Sequence, residues 1–164
     1  MYQSSLFKPG SYLPILMKYK EFLGHVQNRI QADDLSESVR TSRAVLETLG
    51  ERVTEGEATD IASPLPMEID RYLLQVDNGN KVNSDEFIDR VLEKLNYQDL
   101  VLMDVYARPA EIDRSEAVYR VKAIFDLISE ILPGKEMEDI KQQLPKDFES
   151  FFAFIEFEKK PWEE

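Results

Sequence analysis

The stretch Ser42-Arg43-Ala44-Val45-Leu46-Glu47-Thr48-Leu49-Gly50-Glu51-Arg52-Val53-Thr54-Glu55-Gly56-Glu57-Ala58 decides how this chain is read. Val45, Leu46, Leu49 and Val53, with Val39 before them, recur at three-, four- and seven-residue spacing, the period of one buried helix face. Thr54 and Glu57 then form a T-x-x-E capping box, which can satisfy two orphan amide donors and start a second, shorter helix. That helix has to stop at Ser63, because Pro64 disfavours helical geometry in the residue before it. After Leu65-Pro66, the segment Met67 to Leu74 reads as another short helix.

Working backwards, Lys18 to Ile30 carries Phe22, Val26, Arg29 and Ile30 on one face, and Asp33, Asp34 and Ser36 offer N-caps for the helix that follows. Working forwards, Asp77-Asn78-Gly79-Asn80 is the clearest turn-rich stretch, and beyond it the pattern starts again. Glu21-Phe22-Leu23 returns 65 positions later as Glu86-Phe87-Ile88. Val45, Leu49, Val53, Asp60-Ile61 and Leu65-Pro66 return 79 positions later as Ile124, Ile128, Leu132, Asp139-Ile140 and Leu144-Pro145. Ile69, Tyr72 and Leu73 correspond to Phe148, Phe151 and Phe152. The two offsets differ by 14, which places an insertion between about Tyr97 and Asp113.

The expected fold is therefore all-α: a tandem duplication of a roughly four-helix unit, packed as one helical bundle. Residues 1–16, with Pro9, Gly10 and Pro14, read as an irregular arm, 17–76 as the first repeat and 77–83 as a linker. The second repeat covers 84–157, with its insertion near 97–113, and an acidic tail covers 158–164. Within the second repeat the spacing predicts helices over Asp85–Asn96, capped by Ser84, over Ser115–Leu132, ended by Pro133-Gly134, over Glu136–Gln143, and from Lys146 to about Phe157. Leu100 to Tyr106 is the only β-branched apolar run that competes with a helical reading.

These residues resemble a known family. Met17 to Leu23, Ser42 to Val53, Gly56-Glu57-Ala58, Asp60-Ile61-Ala62 and Leu65-Pro66 are similar to the signature of the bacterial family called domain of unknown function 2267, whose members are short, duplicated and all-helical. The resemblance runs from about Met17 to Phe152. The insertion, the N-terminal arm and the aromatic C-terminus depart from the family pattern. Met17 stands where such members usually begin, so residues 1–16 read as an upstream extension or a misplaced start. The resemblance implies the fold and brings no catalytic residue with it.

Composition bounds the function. Of 164 residues, 43% are apolar and 32% charged, with 20 basic against 32 acidic side chains and a net charge of −12. That charge argues against nucleic acid, whose affinity comes from cations neutralising phosphates, and against anionic membrane surfaces. No cysteine and one histidine exclude thiolate sites and most multi-histidine metal sites. Tyr12–Met17, broken by Pro14, is far short of the ~20 apolar residues of a membrane helix, so no membrane insertion is expected and the cytoplasm is the default.

Three candidate chemistries stand against plainer readings. Gln75–Glu86 aligns with a calcium loop through Asp77, Asn83 and Glu86, but Gln75 and Gly79 fall where oxygen ligands belong and the glycine comes one place early. The plainer reading is a polar turn and a capped helix. The acidic clusters Glu55, Glu57, Asp60 and Glu136, Glu138, Asp139 sit in first turns, where they favour the helix dipole. His25, four residues after Glu21, reads as half of a surface ion pair. No cofactor or metal is expected.

The C-terminal aromatics carry more weight. Phe148, Phe151, Phe152 and Ile155 make a core stripe. Phe154 and Phe157 fall off it, Trp162 follows, and the insertion adds Leu102 and Tyr106. Phe154, Phe157, Trp162, Leu102 and Tyr106 are accordingly the candidate partner-docking residues, since aromatics are enriched at interfaces. The expected function is a soluble, non-enzymatic protein–protein interaction module, with a protein partner or self-association. The alternative is a small-molecule or metal-binding enzyme with a carboxylate-lined cleft between the repeats.

Overall fold

A computed structural model describes residues 17–97 and 111–154. The described residues are helical, with no strand among them. The order is α1 (Tyr19–Ile30), α2 (Leu35–Arg52), α3 (Glu55–Ala62), α4 (Met67–Leu74), α5 (Ser84–Tyr97), α6 (Arg114–Ile131), α7 (Gly134–Gln143) and a 3₁₀ helix, η1 (Lys146–Phe152).

Local chemistry sets most of these boundaries. Asp34 starts α2, its carboxylate accepting from the Ser36 and Glu37 amides at 3.1 and 3.4 Å. At α3 the expected capping box is present: the Thr54 amide donates to Glu57 at 2.9 Å and the Glu57 amide donates to Thr54 Oγ1 at 3.2 Å. α5 starts one residue earlier than read from the sequence. Its cap is Asn83 rather than Ser84, because Asn83 and Glu86 reproduce the same reciprocal pair at 2.9 Å each. α7 also starts early, at Gly134, with Pro133 as its N-cap residue, where proline's missing amide and fixed φ cost nothing.

The last helix departs most from expectation. Lys146–Phe152 is a 3₁₀ helix that ends before Ala153, not an α-helix reaching Phe157. Its amides bond three residues back, as from Phe148 to the Pro145 carbonyl at 3.0 Å. With three residues per turn, Phe148 and Phe151 fall in line. Both rings then enter one cluster with Phe87 and Phe125, at centroid distances of 5.2 to 6.0 Å and mostly edge-on.

The two longest helices, α2 and α6, each 18 residues, form the centre. α2 packs on α1, α4, α5 and α6, while α6 packs on α1, α2, α5 and η1. One continuous core runs from Met17 through Phe22, Leu46 and Ile69 to Phe87, Ile124 and Phe148. α2 and α4 come close at Gly50, where an added Cβ would lie 2.7 Å from the Leu73 carbonyl oxygen.

Charged side chains cross the seam between α1–α4 and α5–η1. Arg120 on α6, almost fully buried, donates to Glu37 at 2.9 Å and Thr41 at 2.8 Å on α2, and to Glu116 at 2.6 Å. Arg40 shares Glu37 and reaches the Leu95 carbonyl at 2.7 Å. Arg29 bridges to Asp126 and Glu130, and Glu51 takes Arg90 and Lys94.

Residues 77–83 are tied down by hydrogen bonds. The Asn78 side chain, the Gly79 amide and the Asn80 amide donate to the Gly50, Val53 and Glu51 carbonyls at 2.6 to 2.8 Å. Gly79 has φ +81°, which glycine adopts at little cost. Arg52 in turn donates to the Val82 carbonyl at 2.9 Å. The stretch therefore serves as the C-terminal cap of α2.

Candidate functional site

A large concave feature lies between α7 and η1. Leu144-Pro145 turns the chain at its base, Glu138, Lys141 and Gln142 come from α7, and Lys146, Phe148, Glu149 and Phe152 come from η1. The groove has a volume of about 620 Å³. Its floor is apolar and aromatic, and its rim carries both acids and lysines. Lys141 Nζ stands 4.9 Å from the Phe152 ring centroid, a cation–π distance that holds one rim charge beside the floor.

The groove exists because α7 is only thinly attached. Met137 and Ile140 are its buried residues. Beneath them is a small apolar void lined by Leu49, Ile61, Phe125, Ile128, Met137, Ile140, Leu144 and Phe152, about the size of a single water. In the first half, α3 packs directly on α4. A second apolar feature lies on α4, where Met67 (80% exposed) and Leu74 (46% exposed), seven residues apart, share one face.

Of the docking residues read from the sequence, the described region contains Phe154. It is half-buried and packs on Tyr119, with ring centroids 5.4 Å apart. Phe157, Trp162, Leu102 and Tyr106 lie outside the described residues, as does the apolar run Leu100–Tyr106. The groove itself leaves little trace in the sequence. The matching of Ile69, Tyr72 and Leu73 to Phe148, Phe151 and Phe152 is a signal, since larger rings in one of the two matched segments mean different packing there.

His25 departs from the surface position read for it. It is half-buried on α1, and Arg29 donates to its carbonyl at 3.4 Å. Burial first, and the Arg29 charge second, lower its pKa below the ordinary histidine range, against an upward pull from Glu130 and Glu21. Glu86 of the calcium-loop reading is engaged with Asn83 as a helix cap. Glu57 is likewise held by Thr54. Among the described residues, no three His, Asp or Glu side chains are grouped to hold a metal ion. Among them, too, no helix is long and apolar enough to cross a membrane.

Comparison with known proteins gives one family. The model of the family described as "Uncharacterized conserved protein (DUF2267)" matches residues 19–151. A search of curated proteins returns no match.

Proposed function

The chain belongs to this DUF2267 family, and from that premise we propose that it is a non-enzymatic interaction module that docks a protein segment in the groove between α7 and η1. The carrying observation is the groove itself: about 620 Å³, with Phe148 and Phe152 in its lining and Lys141, Lys146, Glu138 and Glu149 around its rim. An apolar floor supplies the driving force for a docked side chain, and a mixed-charge rim sets its register. Phe157, Trp162, Leu102 and Tyr106 are proposed as further contacts. Phe154, already packed on Tyr119, is the weakest of the five.

The duplication belongs to the same reading. The helix lengths run 12, 18, 8 and 8 in the first half and 14, 18, 10 and 7 in the second. The matched residues Phe22 and Phe87 are both fully buried. These parallels support two copies of one unit, of which the second opened its terminal hairpin into a groove. Self-association through the exposed Met67–Leu74 face of α4 is compatible with this scheme. A cytoplasmic setting is part of the same proposal, and a cysteine-free chain is compatible with it.

The competing reading is an enzyme with a carboxylate-lined cleft between the halves. Against it, Glu37, Glu51, Glu116, Asp126 and Glu130 along that seam are each engaged by arginine or lysine. The test uses the full chain as bait in native lysate, beside a Lys141→Glu, Lys146→Glu variant. Both lysines are exposed, so the variant keeps its core. A partner held by the wild type, protecting α7 and η1 from hydrogen exchange and lost by the variant, is the expected result. Equal capture by both baits overturns the groove. No capture at all, with a metal or small molecule retained in native mass spectrometry, overturns the module in favour of the enzyme.

A further inference from the structure

Asn78-Gly79 is the only Asn-Gly pair in the chain, and it sits where three successive residues close the end of α2. The Asn78 side-chain nitrogen donates to the Gly50 carbonyl at 2.6 Å, and the Gly79 amide donates to the Val53 carbonyl at 2.8 Å. The Asn80 amide completes the set on the Glu51 carbonyl at 2.8 Å. Asn78 is half-buried, while Gly79 and Asn80 are exposed to water.

Asn-Gly is the dipeptide most open to spontaneous deamidation, because glycine has no side chain to hinder approach of its own amide. We infer that Asn78 is a fold-gated deamidation site, protected while it caps α2 and released whenever that cap opens. In the reaction the Gly79 nitrogen loses its proton to solvent base and attacks Asn78 Cγ. The new N–Cγ bond forms, the Cγ–Nδ2 bond breaks, and Nδ2 leaves as ammonia after taking a proton from water. The cyclic imide is then opened by water at either carbonyl, giving aspartate or isoaspartate. Water is the only co-reactant, and nothing is oxidised or reduced.

The folded geometry blocks both ends of this step. The nucleophile is tied up as a donor to Val53, which disfavours the deprotonated form the attack requires. The leaving group is tied to Gly50, which holds the side chain on α2. Opening of the cap frees both atoms together, so the rate in the native protein follows the population of the opened state.

The product cannot remake the side-chain bond to Gly50. A carboxylate at position 78 only accepts hydrogen bonds, and it would face carbonyl oxygens at the negative end of the α2 dipole. Isoaspartate also inserts a methylene into the backbone, which moves the Gly79 amide off Val53. The cap is what holds 77–83 between α2 and α5, so each modified chain keeps a permanent record of having opened there.

The test incubates the full chain at mildly alkaline pH, native or in guanidinium, and follows the mass gain at Asn78 by peptide mapping. Deamidation is expected at least about tenfold more slowly in the native chain. Equal rates in the two conditions overturn the gating, and no product in the denatured chain overturns the site. A second arm compares Asn78→Asp with wild type at neutral pH. A lower urea midpoint and faster hydrogen exchange at Gly79 and Asn80 are expected, and an unchanged midpoint with unchanged exchange overturns the loss of the cap.

Discussion

Two glycines in helices face opposite fates on substitution, and the difference lies in what surrounds each Cα. Alanine is worth about 1 kcal/mol more than glycine in a helix interior on propensity alone. At Gly50 that gain is outweighed. A Cβ there would meet the Leu73 carbonyl oxygen at 2.7 Å, Val76 Cγ2 at 2.8 Å and Leu73 Cα at 3.0 Å. Two of the three are backbone atoms that no rotamer change can move. Gly50→Ala is expected to cost a net of about 1–3 kcal/mol, the range for overpacking a filled site. Gly24 on α1 has nothing within 4 Å of its Cβ position, and Gly24→Ala is expected to gain up to about 1 kcal/mol. Urea unfolding of both variants checks the pair, and a neutral Gly50→Ala would mean that α4 slides on α2 without cost.

At the scale of the element, side-chain caps fix where α2 and α3, of 18 and 8 residues, begin. Asp34 shows how a cap couples a helix to pH. The Ser36 hydroxyl donates to its carboxylate at 2.6 Å, and this bond first, with the Glu37 amide next, lowers the Asp34 pKa below the ordinary aspartate range. A lowered folded-state pKa means a contribution fully present above the unfolded value. It is lost as pH falls through the folded one, here below about pH 4. Asparagine at this position would cap as well as aspartate but does not titrate. Asp34→Asn is therefore expected to match wild type at neutral pH and to show a shallower loss of stability on the acid side. Thermal melts from neutral pH down to about pH 3 read this directly, and an acid limb identical to wild type would remove Asp34 from the account. The 3₁₀ geometry of η1 is another element-scale decision. The sequence stripe Phe148, Phe151, Phe152, Ile155 fits an α-helix, but the cluster around Phe87 and Phe125 is better filled when Phe148 and Phe151 stand in one row.

At the scale of the whole molecule, the two halves are joined by a shared core and by a largely buried charge network of Arg40, Arg120, Glu37 and Glu116. Arg120 is its hub, linking Glu116 on its own helix to Glu37 and Thr41 on α2. Removing one partner from such a network leaves desolvated opposite charge behind. Arg120→Met is expected to cost about 3–5 kcal/mol for that reason, read as a lower urea midpoint. Removing Glu116 together with Arg120, as Gln and Met, is expected to recover part of the loss, since Glu116 is then no longer a stranded charge while Glu37 keeps Arg40. A double variant no more stable than Arg120→Met would show that the arginine contributes packing instead of charge balance.

The sequence alone was enough for the helical period, the Thr54–Glu57 box, the stops at Ser63 and Leu74 and the family resemblance from Met17 to Phe152, because each is written in residues close together along the chain. Short-range hydrogen bonding and the 3.6-residue repeat act before any tertiary contact forms. The tertiary structure decided the rest. Asn78 to Asn80 read as a linker, and only the approach of α2 makes them a cap. His25 read as a surface residue, and only the packing around α1 half-buries it. The groove between α7 and η1 depends on how far two short helices stand apart, and that distance is set by ring packing against Phe87 and Phe125, both remote from η1 along the chain. Local signals fix where helices start and stop; which faces close and which stay open is a competition among distant side chains for the same volume.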